Sequence, residues 1–174
     1  MSITKQIKIA IALTVTLFLT NVTFAQNTKE AKSENYDQGF KLGFGLNGGL
    51  PTSSNDYNFA LGGDVRLQYD LSKATSVTFT TGFTNLFIGD NTKDLGFIPV
   101  KAGFKAFVWK NQFYVLGEAG AAIAVTNGYN DTSLLLSPGI GYATKYIDLS
   151  LRYEDYDKFN TNQIALRIAY GFKL

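Results

Sequence analysis

Asp148 and Glu154 lie on one face of a single alternating run, and a carboxylate pair of this kind could move protons to and from a substrate. Arg152, Arg167 and Lys101 are candidates for the same neighbourhood, and pairing with these cations is the simpler use of both acids. The chain has no His and no Cys. That removes the commonest general base and metal ligand, and with it thiolate sites, cysteine nucleophiles and disulfides. Asp56, Asp90, Asp94, Asp131, Asp155 and Asp157 fall in or beside segments rich in Asn, Asp, Ser and Thr. The run GDNTKD at 89–94 is superficially like an oxygen-rich calcium loop, but lacks the ligand spacing and the closing Glu of a hand-type site. These acids read as solvated loop residues. No catalytic residue, cofactor or metal site is expected.

The elements that carry the charges are strands. In the last segment Ile164, Leu166, Ile168, Tyr170, Phe172 and Leu174 alternate with Gln163, Ala165, Arg167, Ala169, Gly171 and Lys173. Such alternation places one face in an apolar setting and the other in a polar one. Seven more runs follow the same rule, at about 39–49, 58–70, 74–84, 97–108, 112–124, 133–143 and 145–155. Pro138 lacks a ladder donor, so a bulge or bend is expected in the sixth run.

The connections sort by length. Those at 71–73, 109–112 and 144–145 are short; those at 51–57, 85–96, 126–132 and 156–162 are longer. Eight strands with both termini on one side put every short turn at that side and every long loop at the other. Membrane barrels show this asymmetry. A sheet can cross lipid only when closed, because an open edge would leave backbone groups unpaired. The predicted architecture is therefore an all-β, eight-stranded antiparallel up-and-down transmembrane β-barrel.

With the apolar sets outward, the interior receives Lys41, Asp64, Arg66, Asp70, Lys101, Lys105, Glu118, Asp148, Arg152, Glu154 and Arg167. Six basic and five acidic groups in a narrow space must pair, since an unpaired buried charge is costly. An eight-stranded barrel is narrow enough to be filled by its own side chains, so a plugged interior is expected. The soluble alternative, a lipocalin-like binding barrel, turns the same pattern inside out. Tyr69, Phe83, Trp109, Phe113, Tyr142, Tyr146, Tyr153, Tyr170 and Phe172 are placed near strand ends, where aromatic girdles meet the membrane interfaces. Phe87 and Ile88 in the longest loop, and Tyr129 in the next, are the loop hydrophobes that could contact a partner or cap the mouth.

Residues 1–25 read as a secretory signal peptide. Lys5 and Lys8 precede an apolar run at 9–19 that is too short to span a bilayer as a helix, and Thr23-Phe24-Ala25 offers a cleavage site. Removal of this segment takes two of the 16 basic residues and none of the 14 acidic ones, leaving a formally neutral chain. Nucleic acid, which needs a basic patch, is not an expected partner. Residues 26–37 read as a flexible periplasmic lead-in and 38–174 as the barrel domain.

The signal, the glycine-rich eight-strand pattern and the ending LRIAYGFKL resemble small outer-membrane β-barrel proteins of Bacteroidota, grouped with porin-like or OmpA/OmpX-type barrels. The resemblance implies the Gram-negative outer membrane with periplasmic termini. It implies contact with outer-membrane lipid and lipopolysaccharide, and transient engagement of the outer-membrane assembly machinery. Tyr170 and Phe172 would supply the insertion signal, although Leu174 stands where many such barrels end in an aromatic residue. Barrels of this type that act as lipid A deacylases, acyltransferases or proteases need His, which is absent here. The expected role is structural, adhesion-like or envelope-maintaining. The alternatives are an accessory subunit bound to a membrane-complex partner, a narrow channel, or the soluble lipocalin-like barrel.

Overall fold

The computed structural model describes residues 39–52, 57–88, 93–128 and 130–174. The expected signal peptide and lead-in, and the partner candidate Tyr129, lie outside the described residues.

Eight strands follow in chain order: β1 (Phe40–Pro51), β2 (Tyr57–Asp70), β3 (Thr75–Ile88), β4 (Leu95–Val108), β5 (Phe113–Ala124), β6 (Thr132–Ala143), β7 (Ile147–Tyr156) and β8 (Thr161–Lys173). Each pairs with the next, and β1 pairs antiparallel with β8, so the sheet closes without an edge. A short helical turn, α1 (Trp109–Gln112), joins β4 to β5.

The wall is inverted relative to a soluble protein. On β8, Ile164, Leu166, Ile168 and Tyr170 are 48%, 50%, 54% and 56% exposed, while Gln163, Ala165 and Arg167 are 2%, 1% and 1% exposed. The same holds around the barrel: Phe44, Leu46, Leu61, Phe79, Leu134 and Ile140 point outward, while Asp64, Arg66, Lys101, Lys105, Glu118, Arg152 and Glu154 are buried. A water-facing barrel cannot present such a surface, whereas a lipid-facing one must. This excludes the soluble lipocalin-like alternative. Among the described residues no helix is long and apolar enough to cross a membrane, so the crossing is made by strands.

The largest boundary shift from the sequence-based expectation lies between β3 and β4. The loop expected at 85–96 narrows to 89–94, because β3 runs on to Ile88 and β4 begins at Leu95. Leu86 faces Leu95 across this extra ladder. Leu86, Leu95 and Phe97 all have inward parity and are 0%, 2% and 0% exposed, so burial of these side chains sustains the pairing. Phe87 and Ile88 are therefore wall residues at the end of β3 rather than loop residues, and Phe87 stacks on Phe59 at 4.5 Å. Phe83, expected near a strand end, lies well inside β3.

Pro138 does not bulge its strand. β6 pairs continuously with β5, including Gly117 against Pro138. On its other side the β6–β7 ladder passes from Leu136↔Asp155 to Gly139↔Arg152 with the register unchanged. Pro99 interrupts the β3–β4 ladder in the same way, between Thr81↔Val100 and Thr84↔Phe97. A missing N–H costs a ladder bond without forcing an extra residue into the strand.

Candidate functional site

The site that the sequence predicts is the lumen, and the structure brings nine of its eleven charged residues into one connected network. Glu118 on β5 is the hub. Its Oε1 accepts from Arg66 Nη2 at 2.7 Å and from Thr80 Oγ1 at 3.0 Å. Its Oε2 lies 3.2 Å from Lys101 Nζ and 3.5 Å from Arg152 Nη1. Lys101 bridges onward to Glu154 Oε1 at 3.0 Å. The other oxygen of Glu154 accepts from Tyr156 Oη and Gln163 Nε2, both at 2.7 Å.

Asn47 on β1 joins this cluster to a second one. Its amide oxygen accepts from Arg152 Nη2, and its Nδ2 donates to Asp64 Oδ2 at 2.7 Å. Asp64 is gripped by Arg167, whose Nε donates at 2.9 Å to Oδ2 and whose Nη2 donates at 2.6 Å to Oδ1. This fork is the stronger, orientation-fixing form of ion pair. Arg167 Nη1 lies 3.9 Å from Asp148, which takes both the Lys105 ammonium and the Tyr114 hydroxyl. Lys105 also sits 4.2 Å from the centre of the Tyr114 ring. Lys41 and Asp70 stand apart, paired at 2.8 Å near the end where the short turns lie, with Gln68 and Ser76 donating to Asp70.

Burial makes these contacts matter. Arg66, Lys101, Lys105, Glu118, Arg152 and Arg167 are all buried. A charge at such a depth is tolerated only with partners, and removing one member strands the others. Small residues make the space. A Cβ on Gly45 would meet the Arg167 guanidinium at 2.8 Å, and one on Gly141 would meet the Tyr114 ring at 2.2 Å.

The sequence reading missed the second tier of the lumen. Toward the long loops, Ala60, Leu86, Leu95, Phe97, Ala122, Ala124, Leu135 and Tyr156 form a buried apolar cluster, with Tyr57 and Phe159 packed on it. Phe97 stands edge-on to Tyr156 at 5.1 Å and 5.7 Å from Phe159. Between the two tiers remains a cavity of about 20 Å³, bordered by Asn47, Lys101, Arg152, Glu154, Tyr156 and Gln163. That is room for a single water. The bridging roles of Asn47, Thr80, Tyr114 and Gln163 were also missed as site residues, although their inward parity was readable; Tyr156 was lost because the sequence placed it in a loop.

Asp148 and Glu154 are thus held by cations and hydroxyls inside the barrel. Among the described residues no group of His, Cys, Asp or Glu is arranged to hold a metal. Asp94 closes its loop instead: its carboxylate accepts from the Ile88 N–H at 3.0 Å and from Asn85 Nδ2 at 3.3 Å. At the wall, Tyr170 and Phe172 are outward and partly exposed, and Phe87 and Ile88 are half-buried.

A closed barrel with a charged lumen and an apolar outer wall belongs in the outer membrane. No protein-family model matches the sequence, and no curated protein matches it. Solved structures do. The attachment invasion locus protein Ail of Yersinia pestis superposes with a TM-score of 0.53 at 17% identity, covering 78% of this chain and 100% of its own. Ail has also been solved with the heparin analogue sucrose octasulfate. The N-terminal barrel of Pseudomonas aeruginosa OprF gives 0.54 at 13% identity, over 78% of this chain and 100% of its own. A de novo designed transmembrane β-barrel gives 0.53 at 18% identity, over 78% and 98%. At these identities the likeness is one of fold: the chain is similar to small eight-stranded outer-membrane barrels.

Proposed function

We propose that this chain is a sealed outer-membrane barrel that holds its four long loops at the cell exterior, in an adhesion-like or envelope-maintaining role rather than a transport one. The observation that carries this reading is the doubly filled lumen. The ionic tier leaves a cavity of about 20 Å³, and the apolar tier above it removes the polar lining a permeating solute would need. A narrow channel would need a continuous water path through both. In this reading residues 1–25 are removed on export, residues 26–37 lead in from the periplasm, and Tyr170 and Phe172 guide insertion. Single-channel recording of the refolded barrel tests it: no conductance steps are expected, and steady steps would overturn it.

The loops define what an adhesive role would take. They hold Asp56, Asp90, Asp94, Asp131 and Asp157 against Lys93 and Lys158. That balance disfavours a polyanion of the heparin type and favours a cationic or neutral surface. Binding of the purified barrel to immobilised heparin and to a polycation separates the cases, with retention on heparin counting against the proposal.

A second reading, an accessory subunit of a larger envelope complex, draws on the stacked Phe59–Phe87 pair, whose Phe59 ring is 40% exposed on the outer wall near the loops. Purification from the native membrane in mild detergent tests it: a stoichiometric companion should co-elute, and should be lost on Phe59→Ala.

A further inference from the structure

The two ends of the barrel carry opposite charge. The short turns at 71–74, 109–112 and 144–146 contain Lys73, Lys110 and Lys145 and no acid, and β8 ends on Lys173. These lysines fall between β2 and β3, β4 and β5, β6 and β7, and at the β8–β1 closure, one for each quarter of the circumference. Lys173 stands opposite Lys41 in the β1–β8 ladder, and Lys41 is itself paired with Asp70. The long-loop end is net acidic.

A belt of aromatics marks where this collar meets the membrane. Phe40 packs on Tyr69 at 4.8 Å, Phe113 on Tyr142 at 5.0 Å, Tyr146 on Tyr170 at 5.8 Å and Trp109 on Phe113 at 6.1 Å. Tyr and Trp rings of this kind sit at headgroup depth. Lys145, next to Tyr146, lies 5.1 Å from that ring and is exposed. Trp109 is 80% exposed and adopts a φ of 43°. A bulky residue in the left-handed region is strained, and here the strain holds an indole out into the interface.

We propose that the turn end is a binding collar for anionic glycerophospholipid, with lysine ammonium groups on the headgroup phosphates and the aromatic belt on the glycerol and upper acyl region. The match is one of charge and depth. Phosphates lie just beyond the aromatic level, the turns that carry the lysines lie at the same end of the barrel as the aromatic belt, and each lysine near an anionic surface contributes about fivefold in affinity. The loop end, with the opposite sign, disfavours the same lipid. The collar is independent of whatever role the loops play.

Trp109 is the single Trp of the chain, so its fluorescence reports on the collar directly. The mature barrel, refolded into mixed bilayers, is compared with brominated phosphatidylglycerol or brominated phosphatidylcholine as the quencher at equal mole fraction. Phosphatidylglycerol should quench more strongly, with an apparent preference of about fivefold or more. The preference should fall several-fold in K73Q/K145Q/K173Q, which removes three of the four turn-end lysines and whose folding is checked by heat-modifiable gel migration. It should also fall in the native sequence at high salt, where the screening length contracts to about 3–4 Å. Should the triple variant fail to insert, the salt arm decides. Equal quenching by both lipids, or a preference indifferent to salt and to the substitutions, would overturn the proposal. Abolition by millimolar soluble glycerol phosphate would also overturn it, by assigning the collar to free phosphate.

Discussion

The lumen is filled twice, by opposite physics. Its middle is ionic: Glu118, Asp64, Asp148 and Glu154 are threaded among Arg66, Lys101, Lys105, Arg152 and Arg167. Its loop end is apolar, built on Phe97, Tyr156, Leu86 and Leu135. The ionic tier demands complete partners, because each missing one leaves a charge in a place water cannot reach. The apolar tier demands only volume and shape. The first therefore fixes one arrangement of the eight strands, and the second packs the lumen toward the long loops.

The largest break in this comparison comes from the ionic side. Arg167→Met should lower stability by about 4 kcal/mol, because Asp64 loses both donors of its fork. Urea unfolding in phospholipid vesicles measures it. Asp64→Asn added to the same variant should restore most of the loss, since a pair removed together leaves no stranded charge. A single-substitution cost below about 1 kcal/mol would mean that the network is ornamental to stability.

The apolar side should break differently. Phe97→Ala should cost about 3 kcal/mol through the cavity left beside Tyr156 and Phe159. No charge is stranded, so no second substitution of a charged residue should rescue it. Conductance should stay absent, because the ionic tier below remains filled. Steady openings in Phe97→Ala recordings would instead make the apolar tier the true seal.

The difference between the tiers also explains what was legible in the sequence. Charged residues such as Arg66, Lys101 and Arg167 alternate with Leu, Val and Ile, so their inward placement follows from period-two parity alone. The partners do not: that Asn47 would link Arg152 to Asp64 depends on how far each strand slides past its neighbours. Leu86 and Leu95 were hidden for another reason. Apolar residues on the polar face near a strand end break the alternation, and a broken alternation reads as a loop. The eventual burial that rewards pairing there comes from Leu135 and Tyr156, distant in sequence. Pro138 misled in the opposite direction, because a proline tolerated on one ladder looks locally like a strand breaker.

Packing inside the ionic tier offers a finer cut. Gly45→Ala should cost about 2 kcal/mol by pushing a methyl group against the Arg167 guanidinium. The loss should largely vanish in an Arg167→Met background, where the long side chain bends more easily and carries no fixed partner. A double-mutant cycle reads this coupling directly. Additive losses would show that the strain lies in the backbone of β1 rather than in the crowded lumen.

The smallest effect belongs to the outer wall, and it separates the wall from both tiers. Leu166 faces outward at 50% exposure, one residue from the fully buried Arg167. Leu166→Ala removes as much side chain as many core truncations, yet the vacancy opens onto lipid rather than into a rigid cavity. Acyl chains are as apolar as leucine and flow into the space, so the loss should stay below about 1 kcal/mol. The same substitution in a water-soluble core would cost about 2–5 kcal/mol. A comparable loss for Leu166→Ala, measured in vesicles by the same unfolding assay, would show that this stretch of wall packs against protein in the membrane and not against lipid.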